Sequence, residues 1–560
     1  VAPSACTARN GVVTAGRREA TFGELATAAA TMPVPRNVRL KEPRDFRIIG
    51  RSLPRPDIAE IVTGRTVYGI DVVRQGMLHA SVRRAPLPGA RIVRIDDRAA
   101  RAMPGVRAIV RIPAHREARQ FWEGVGVVAD STWMAFKARD ALVVELESPS
   151  RPAPLPATRG EGGRRPGEGP IITRRGGDVQ QAFARAARIV EAEYELPFVA
   201  HATMEPPSCV VDARADRCEV WAPTQTPERV ATALATYLHY KDVQVHVTAL
   251  GGGFGRKVYN DYVLEAAFLS KAVGAPIKLT MTREDDLRHD LYRPAQSHRL
   301  RAGLDARGHV TAWHQTIEGA SVSSFIRGDW KEAYALEESG EIPQSIPNVL
   351  TEFRRLDTLL PLGVWRSVSA SSCTFAVQSF VDELAHAAGA DPVAFRRALI
   401  GPRARRALDV AAQQAGWGTP GRARGVAVLD GEGPAVAQIA EVSMKDGELK
   451  VDRVVCAIDC GLVVHPDGLR AQVEGGIAFG LSALRSAITI KDGAVEQSNF
   501  HDYPILTMEQ MPRVEVHIIS SERDPEGAGE APVPCIAPAV ANALFALTGR
   551  RVRRLPLTLD

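Results

Sequence analysis

Two short stretches hold residues arranged for chemistry. In GGGFGRK at 251–257, Gly252, Gly253 and Gly255 surround Phe254 between a strand-like run and an apolar helix. Free backbone N–H groups at such a junction, with a helix dipole behind them, suit an anion such as a phosphate. A tight structural turn leaves the same signature. The dinucleotide fingerprint is not met, since no glycine stands three positions after Gly255, and the P-loop is not met, since Arg256 stands where lysine would follow the last glycine. The second stretch is Gly527-Ala528-Gly529-Glu530-Ala531-Pro532, just ahead of an apolar helix. A carboxylate among small residues beside a helix start can lose solvent and be tuned as a general base. On its own it reads as a surface carboxylate. His201 and Glu205 in HATMEPP have the i, i+4 spacing of a metal pair, but two ligands without a third read as structural.

The elements around these stretches are legible from periodicity. Thr226 as N-cap and Pro227 at the first position open a helix whose face carries Val230, Ala233, Leu234, Tyr237 and Leu238. Val243, Val245 and Val247 alternate as in a strand. After the glycine loop, the spacing predicts a helix from Tyr262 to Val273, closed by Gly274, then a strand at IKLTM. Phe375 to Ala388 and Asp391 to Ile400 read as helices, as does Ile536 to Leu547, ending at Gly549. Earlier, Val106 to Ile112 and Gly124 to Asp130 read as strands and Arg98 to Met103 as a helix, which together predict a small α/β domain. Between them and the later elements, Ser150 to Pro170 is rich in Pro, Gly and Arg and reads as a linker or surface loop. The fold class is mixed α/β (α+β) with several sheets and no repeat of fixed period.

Composition bounds the rest. A chain of 560 residues, 45% of them hydrophobic, can bury large cores and suggests roughly three or four domains. The charge of +5 comes from 70 basic and 65 acidic residues without a basic block, so nucleic acid is not an expected partner. No apolar run approaches the roughly 18 residues of a membrane span. The seven cysteines (Cys6, Cys209, Cys218, Cys373, Cys456, Cys460 and Cys535) read as buried thiols. They are too scattered for a disulfide framework, and Cys456 with Cys460 lacks the second ligand pair of a zinc site. No close-spaced group fits an iron–sulfur cluster, so any such cluster is expected on another chain. The sequence begins at Val1, and its true start is expected to lie elsewhere or to have been removed, which leaves bacterial cytoplasm and periplasm both open.

Taken together, ordered motifs carry a resemblance. ALGGGFGRK (249–257), WAPTQTP (221–227), VWRSV (364–368), AQVEGGIAFGLSAL (471–484) and GAGEAPVPCIAPAVANALFALTG (527–549) resemble successive motifs of the xanthine oxidase-type molybdenum hydroxylases. The molybdopterin-binding large subunits of the isoquinoline 1-oxidoreductase and bacterial aldehyde oxidoreductase branch are most similar. TREDDLRHDLYRPAQ (282–296) and QSNFHDYPIL (497–506) extend the likeness over almost the whole chain. TGRTVYGIDV and GVVADSTWMAFKARDAL resemble the family's α/β hammerhead domain, expected over 51–148. Residues 1–50 are then an N-terminal extension to a domain completed by another chain, 149–177 a linker or loop, and 178–560 the cofactor-binding domains, divided near 400.

The resemblance implies a multi-domain large-subunit fold and roles for particular residues. Glu530 matches the catalytic base. Gln225 is implied beside the molybdenum, Phe254 with Gly252, Gly253 and Gly255 at the metal's oxo side, Arg366 holding the cofactor, and Gln472 contacting the pterin. No protein side chain ligates the metal directly, because the pterin holds it. The implied cofactor is molybdopterin cytosine dinucleotide, its pyrophosphate near the backbone at 251–255. The implied reaction hydroxylates an N-heteroaromatic carbon or oxidises an aldehyde with oxygen from water, passing electrons to [2Fe-2S] clusters on a partner subunit. The family's Gly-Glu-Met-Gly-Gln-Gly segment is not in this sequence and is expected on a second polypeptide. Two positions depart from the pattern: Ser369 where glycine is common, and His465 where asparagine commonly precedes the proline. Carbon monoxide dehydrogenase is excluded, because SVSASS follows the Trp365-Arg366 pair and Cys373 lies too far along to be a copper ligand. A scaffold or assembly protein that kept the fold but lost activity is the rival, and the retained Glu530 and Phe254 argue against it.

Overall fold

Among the described residues, alternating or continuous apolar runs bounded by turn residues supply most strands of six β-sheets. The computed structural model describes residues 1–38, 40–87, 90–114, 122–147, 169–329, 331–339, 343, 345–358, 360–431, 433–491 and 493–558. The chain divides into Val1–Arg51 and Ser52–Asp560. The first unit is an antiparallel meander of Cys6–Arg9, Val12–Ala15 and Arg18–Thr21 followed by the helix Phe22–Ala30. Thr21 and Glu24 form a reciprocal capping box at that helix's start, with Glu24 Oε2 accepting from Thr21 N–H at 2.7 Å.

In the second unit, a seven-stranded sheet has the order Asp242–Val247, Arg217–Ala222, Ser208–Ala213, Ile277–Thr280, Leu78–Arg84, Gly124–Ala129, Val106–Ile112. Three of these strands come from the region read as a separate α/β domain. They continue the larger sheet because Leu78–Ala80 pairs in parallel with Ile277–Leu279. The helix Asp261–Val273, buried nearly all round, covers this sheet and ends at Gly274 in the left-handed conformation.

A five-stranded sheet runs Arg188–Leu196, Gln296–Leu304, Val310–Gly319, Asn348–Arg355, Ile171–Gly176. Its last member corrects the expected loop over 149–177: Ile171–Phe353 and Gly176–Val349 are partners in an antiparallel ladder. Residues 148–168 of that stretch lie outside the described residues. A four-stranded sheet, Ala423–Leu429, Ala435–Lys445, Glu448–Asp459, Arg513–Ile518, packs with the helices Ala370–Ala387, Pro466–Ala483 and Ile536–Thr548 in the largest core. The helix Ile536–Thr548 lies so close to the sheet that a Cβ on Gly425 would stand 2.1 Å from the Ala543 nitrogen, so only glycine fits there. This packing brings the Gly527–Pro532 loop beside the helix Pro466–Ala483. Six of the seven cysteines are buried as read; Cys6 is half-buried instead.

Candidate cofactor and catalytic site

The glycine stretch does not open directly onto a helix. A short 3-10 turn, Arg256–Val258, intervenes and the helix starts at Asp261, so the glycine loop does not itself form the helix N-terminus. The loop offers backbone instead. Gly251 N–H donates to Glu205 Oε2 at 2.9 Å and Gly255 N–H to Gln225 Oε1 at 3.2 Å. Among the described residues, none accepts from the N–H groups of Gly252, Gly253 or Phe254. Gly252 and Gly255 have φ of 99° and 109°. A Cβ on Gly255 would fall 1.8 Å from the Val364 carbonyl oxygen and one on Gly253 2.5 Å from Gln225 Oε1, so both positions require glycine.

From this loop a chain of hydrogen bonds reaches Glu530. Phe254 C=O accepts from Arg366 N–H at 2.9 Å. The Arg366 guanidinium donates through Nε to Gly529 C=O at 2.7 Å and through an Nη to the Gln472 carbonyl at 3.3 Å and Oε1 at 3.2 Å. Ser367 N–H donates to Glu530 Oε1 at 3.0 Å, and its hydroxyl donates to the Glu530 carbonyl at 2.7 Å. All eight residues singled out in the sequence therefore form one connected cluster. Burial lowers the pKa of Arg366, which Glu530 opposes, and a guanidinium so placed stays charged. Glu530 itself is exposed, so the desolvation anticipated for a base beside a helix start does not come from its described neighbours.

The backbone is strained at this junction. Of the seven non-glycine residues with positive φ among the described residues, four meet here: Ala202 (48°), Phe254 (53°), Ser367 (79°) and Val368 (46°). Each such residue costs of order 1–3 kcal/mol and persists only where surrounding bonds over-determine it, as the Arg366 and Ser367 bonds do.

Beneath the loop lies a buried charged layer. Arg256 pairs with Asp261 at 2.7 Å and with Asp290 at 3.2 Å, while Arg84 pairs with Asp261 at 2.9 Å and Glu265 at 2.7 Å. Burial alone would raise the Asp261 carboxyl, but Arg256 and Arg84 bring it down to about 2. Burial and the neighbouring Asp290 push Asp286 up to about 6. Arg256 thus points into the protein, away from any phosphate. His201 and Glu205 also act structurally. His201 Nδ1 lies 3.0 Å from Asp290 and Nε2 2.9 Å from the Val364 carbonyl, while Glu205 accepts from Lys257 at 2.6 Å. Among the described residues no group of three or more His, Cys, Asp or Glu could hold a metal ion.

Sequence reasoning missed three contributors. Ser367 follows Arg366 within VWRSV, but the two hydrogen bonds that it donates to Glu530 span 163 positions. The Phe479 ring lies 4.4 Å from Phe254 and 4.5 Å from Trp365, lining with them an apolar cavity of about 200 Å³. Tyr503 closes that cavity by bonding the Ala200 backbone at 2.9 and 3.1 Å. Phe479 and Tyr503 both lie in quoted motifs, which was their available signal. Of the two departures, His465 performs the helix-capping task that asparagine would, its Nδ1 accepting from Gly468 N–H at 2.8 Å. Ser369 has φ of −62°, which any residue adopts.

A glycine loop with unpartnered backbone donors, joined through Arg366 and Ser367 to a carboxylate held by a backbone amide, is the arrangement of a chain that binds an anionic cofactor. Molybdopterin cofactor-binding domain profiles match residues 166–399 and 426–512. The beta subunit of isoquinoline 1-oxidoreductase from Brevundimonas diminuta is 31% identical over 95% of this chain and 71% of its own length. A nicotinate dehydrogenase subunit from Pseudomonas putida is 31% identical over 93% of this chain, which spans only 47% of that longer protein. Quinoline 2-oxidoreductase from Pseudomonas putida 86 shares the fold with a TM-score of 0.75 at 17% identity, over 91% of this chain and 97% of that one. This chain belongs to the molybdenum hydroxylase family, as a molybdopterin-binding large subunit. It is an oxidoreductase chain that takes a molybdenum cofactor and works with partner subunits. No helix among the described residues is long and apolar enough to cross a membrane.

Proposed function

We propose that this chain binds molybdopterin cytosine dinucleotide and hydroxylates an N-heteroaromatic carbon or oxidises an aldehyde, with Glu530 as the base. The observation that carries this reading is the bonded path from the glycine loop through Arg366 and Ser367 to Glu530. A bound molybdenum cofactor supplies oxygen transfer from water and accepts two electrons from the substrate.

The residues present fit such a group. Three successive backbone N–H groups at Gly252, Gly253 and Phe254 lack an acceptor among the described residues, and the loop is held rigid by Glu205 and Gln225. Those donors suit the anionic cofactor, including its pyrophosphate. Gln225 and Gln472, both exposed, present side-chain amides beside the same loop, and Arg366 adds a fixed positive charge. Ser367 fixes one oxygen of Glu530 and leaves the other to take a proton.

Electrons leave to a [2Fe-2S] partner subunit, consistent with the scattered cysteines of this chain. The polypeptide carrying the Gly-Glu-Met-Gly-Gln-Gly segment completes the cofactor site. Metal and nucleotide analysis of the purified heteromer tests the reading: about one molybdenum per chain and CMP on acid release are expected. Absence of molybdenum from protein made in a cofactor-competent host would leave the scaffold reading instead.

A further inference from the structure

A cavity of about 550 Å³ shares the Val364–Val368 loop with the site, and its lining departs from a plain apolar slot. One face of the helix Pro227–Leu238 supplies Arg229, Ala233, Thr236 and Tyr237, residues spaced three, four, seven and eight apart as one helical face requires. Val258, Val322, Ile326 and Val364 add apolar walls. Val368 reaches the cavity from the position next to Ser367, whose amide and hydroxyl hold Glu530. The cavity therefore leads to the loop that positions the carboxylate.

Its charge is unbalanced. The charged lining residues are Arg229, Arg327 and Glu337. Arg327 is neutralised by Glu337 at 3.2 Å and stacks over Tyr334 at 4.5 Å. No carboxylate among the described residues pairs with Arg229. A second polar group, Asn260, is 8% exposed, and its side-chain carbonyl oxygen accepts no hydrogen bond. Such a wall of aliphatic and tyrosine side chains with one uncompensated guanidinium matches a flat ring bearing an anionic group, because a guanidinium binds a carboxylate with paired donors.

We propose that this cavity admits the substrate and selects an aromatic ring carrying a carboxylate, with Arg229 as the specificity residue that binds the acid group. The inference rests on Glu530 marking the reacting centre. Arg229 is exposed at the cavity edge, so its contribution is moderate and weakens with salt.

The test uses the purified heteromeric holoenzyme with quinoline-4-carboxylate and quinoline as probes, in wild type, Arg229→Gln and Arg229→Lys. Steady-state turnover is read beside calorimetric binding without an electron acceptor. Arg229→Gln is expected to raise KM and Kd for the carboxylate about tenfold, to leave kcat and both quinoline constants unchanged, and to be partly rescued by Arg229→Lys. Equal effects on the two probes, or no effect on the carboxylate, would overturn the proposal and leave the hydroxylase reading standing. Carboxylate binding that depends on Arg229 without turnover of either probe would support the anion site and count against the hydroxylase reading. Absence of carboxylate binding by the wild type would overturn the proposal.

Discussion

Ser367 holds Glu530 at both ends, its amide donating to the carboxylate at 3.0 Å and its hydroxyl to the Glu530 carbonyl at 2.7 Å. The adjacent Arg366 grips the preceding residue, Gly529, at 2.7 Å. Two consecutive residues on one strained loop thus fix both the position of the carboxylate and the loop that bears it.

This geometry predicts that Glu530→Gln keeps fold and molybdenum content but lowers turnover at least about a hundredfold, since a positioned base contributes roughly 10² to 10⁴. The amide preserves the acceptor for Ser367 N–H, so the loop should not move. Near-normal turnover at full molybdenum occupancy would remove Glu530 from the role of base.

Arg366→Lys is expected to be far from conservative. Lysine retains the charge but lacks the fork that reaches Gly529 and Gln472 together. Hydrogen bonds from a charged donor contribute about 1.5–3 kcal/mol each, so losing one should cut turnover at least about tenfold. Kinetics normalised to molybdenum content will show it; wild-type values would mean that the fork is dispensable.

Gly255→Ala tests the close approach of the two loops. A methyl group there would meet the Val364 carbonyl oxygen at 1.8 Å, on a backbone with φ of 109°. Backbone cannot yield as a flexible side chain does, so the loops must part and break the Phe254–Arg366 bond. Molybdenum content should fall well below half of wild type, with a lower melting temperature. A variant with full cofactor and unchanged melting would show that the contact is not required.

What was readable in the sequence and what was not divides along a physical line. Local signals held: Pro227 opens its helix, and Gly274 and Gly549 end theirs in the left-handed conformation. Thr226 sits at its N-cap position, yet its hydroxyl donates to the Val258 carbonyl at 3.0 Å rather than capping. The helix predicted from Phe375 begins at Ala370, because Ala370–Thr374 lacks apolar periodicity and is held by tertiary packing. Ile171–Gly176 carries arginines and glycine and becomes a strand only through its distant partner, Asn348–Arg355. The candidate site residues came from ordered motifs, whereas the bonds that unite them cross from 30 positions, for Gln225 with Gly255, to 106 for Arg366 with Gln472 and 163 for Ser367 with Glu530. No local rule reaches that far.

The buried acid Asp286 gives a prediction with a definite sign. Its carboxyl is fully buried near Asp290, accepts from Arg283 at 2.5 Å on one oxygen and has no partner on the other. Burial first, and Asp290 second, raise its pKa from 3.8 to about 6. Below about pH 4 the group is protonated in folded and unfolded chains alike and contributes nothing to pH dependence. Between about pH 4 and 6 the folded state keeps a proton that the unfolded state has lost, so stability falls as pH rises. Above about pH 6 the loss is complete, of order 3 kcal/mol from roughly two pKa units at 1.36 kcal/mol each. An asparagine side chain does not ionise, so Asp286→Asn should gain stability relative to wild type from about pH 4 to about pH 6 and hold that gain unchanged from there to pH 8. Comparing two chains at each pH cancels other titrations, including that of Asp261, whose lowered pKa stabilises above about pH 4 and fails in stronger acid. Urea midpoints of both proteins from pH 4.5 to 8 supply the measurement, and a difference that stays constant across that range would show that Asp286 does not titrate with a raised pKa in the folded chain.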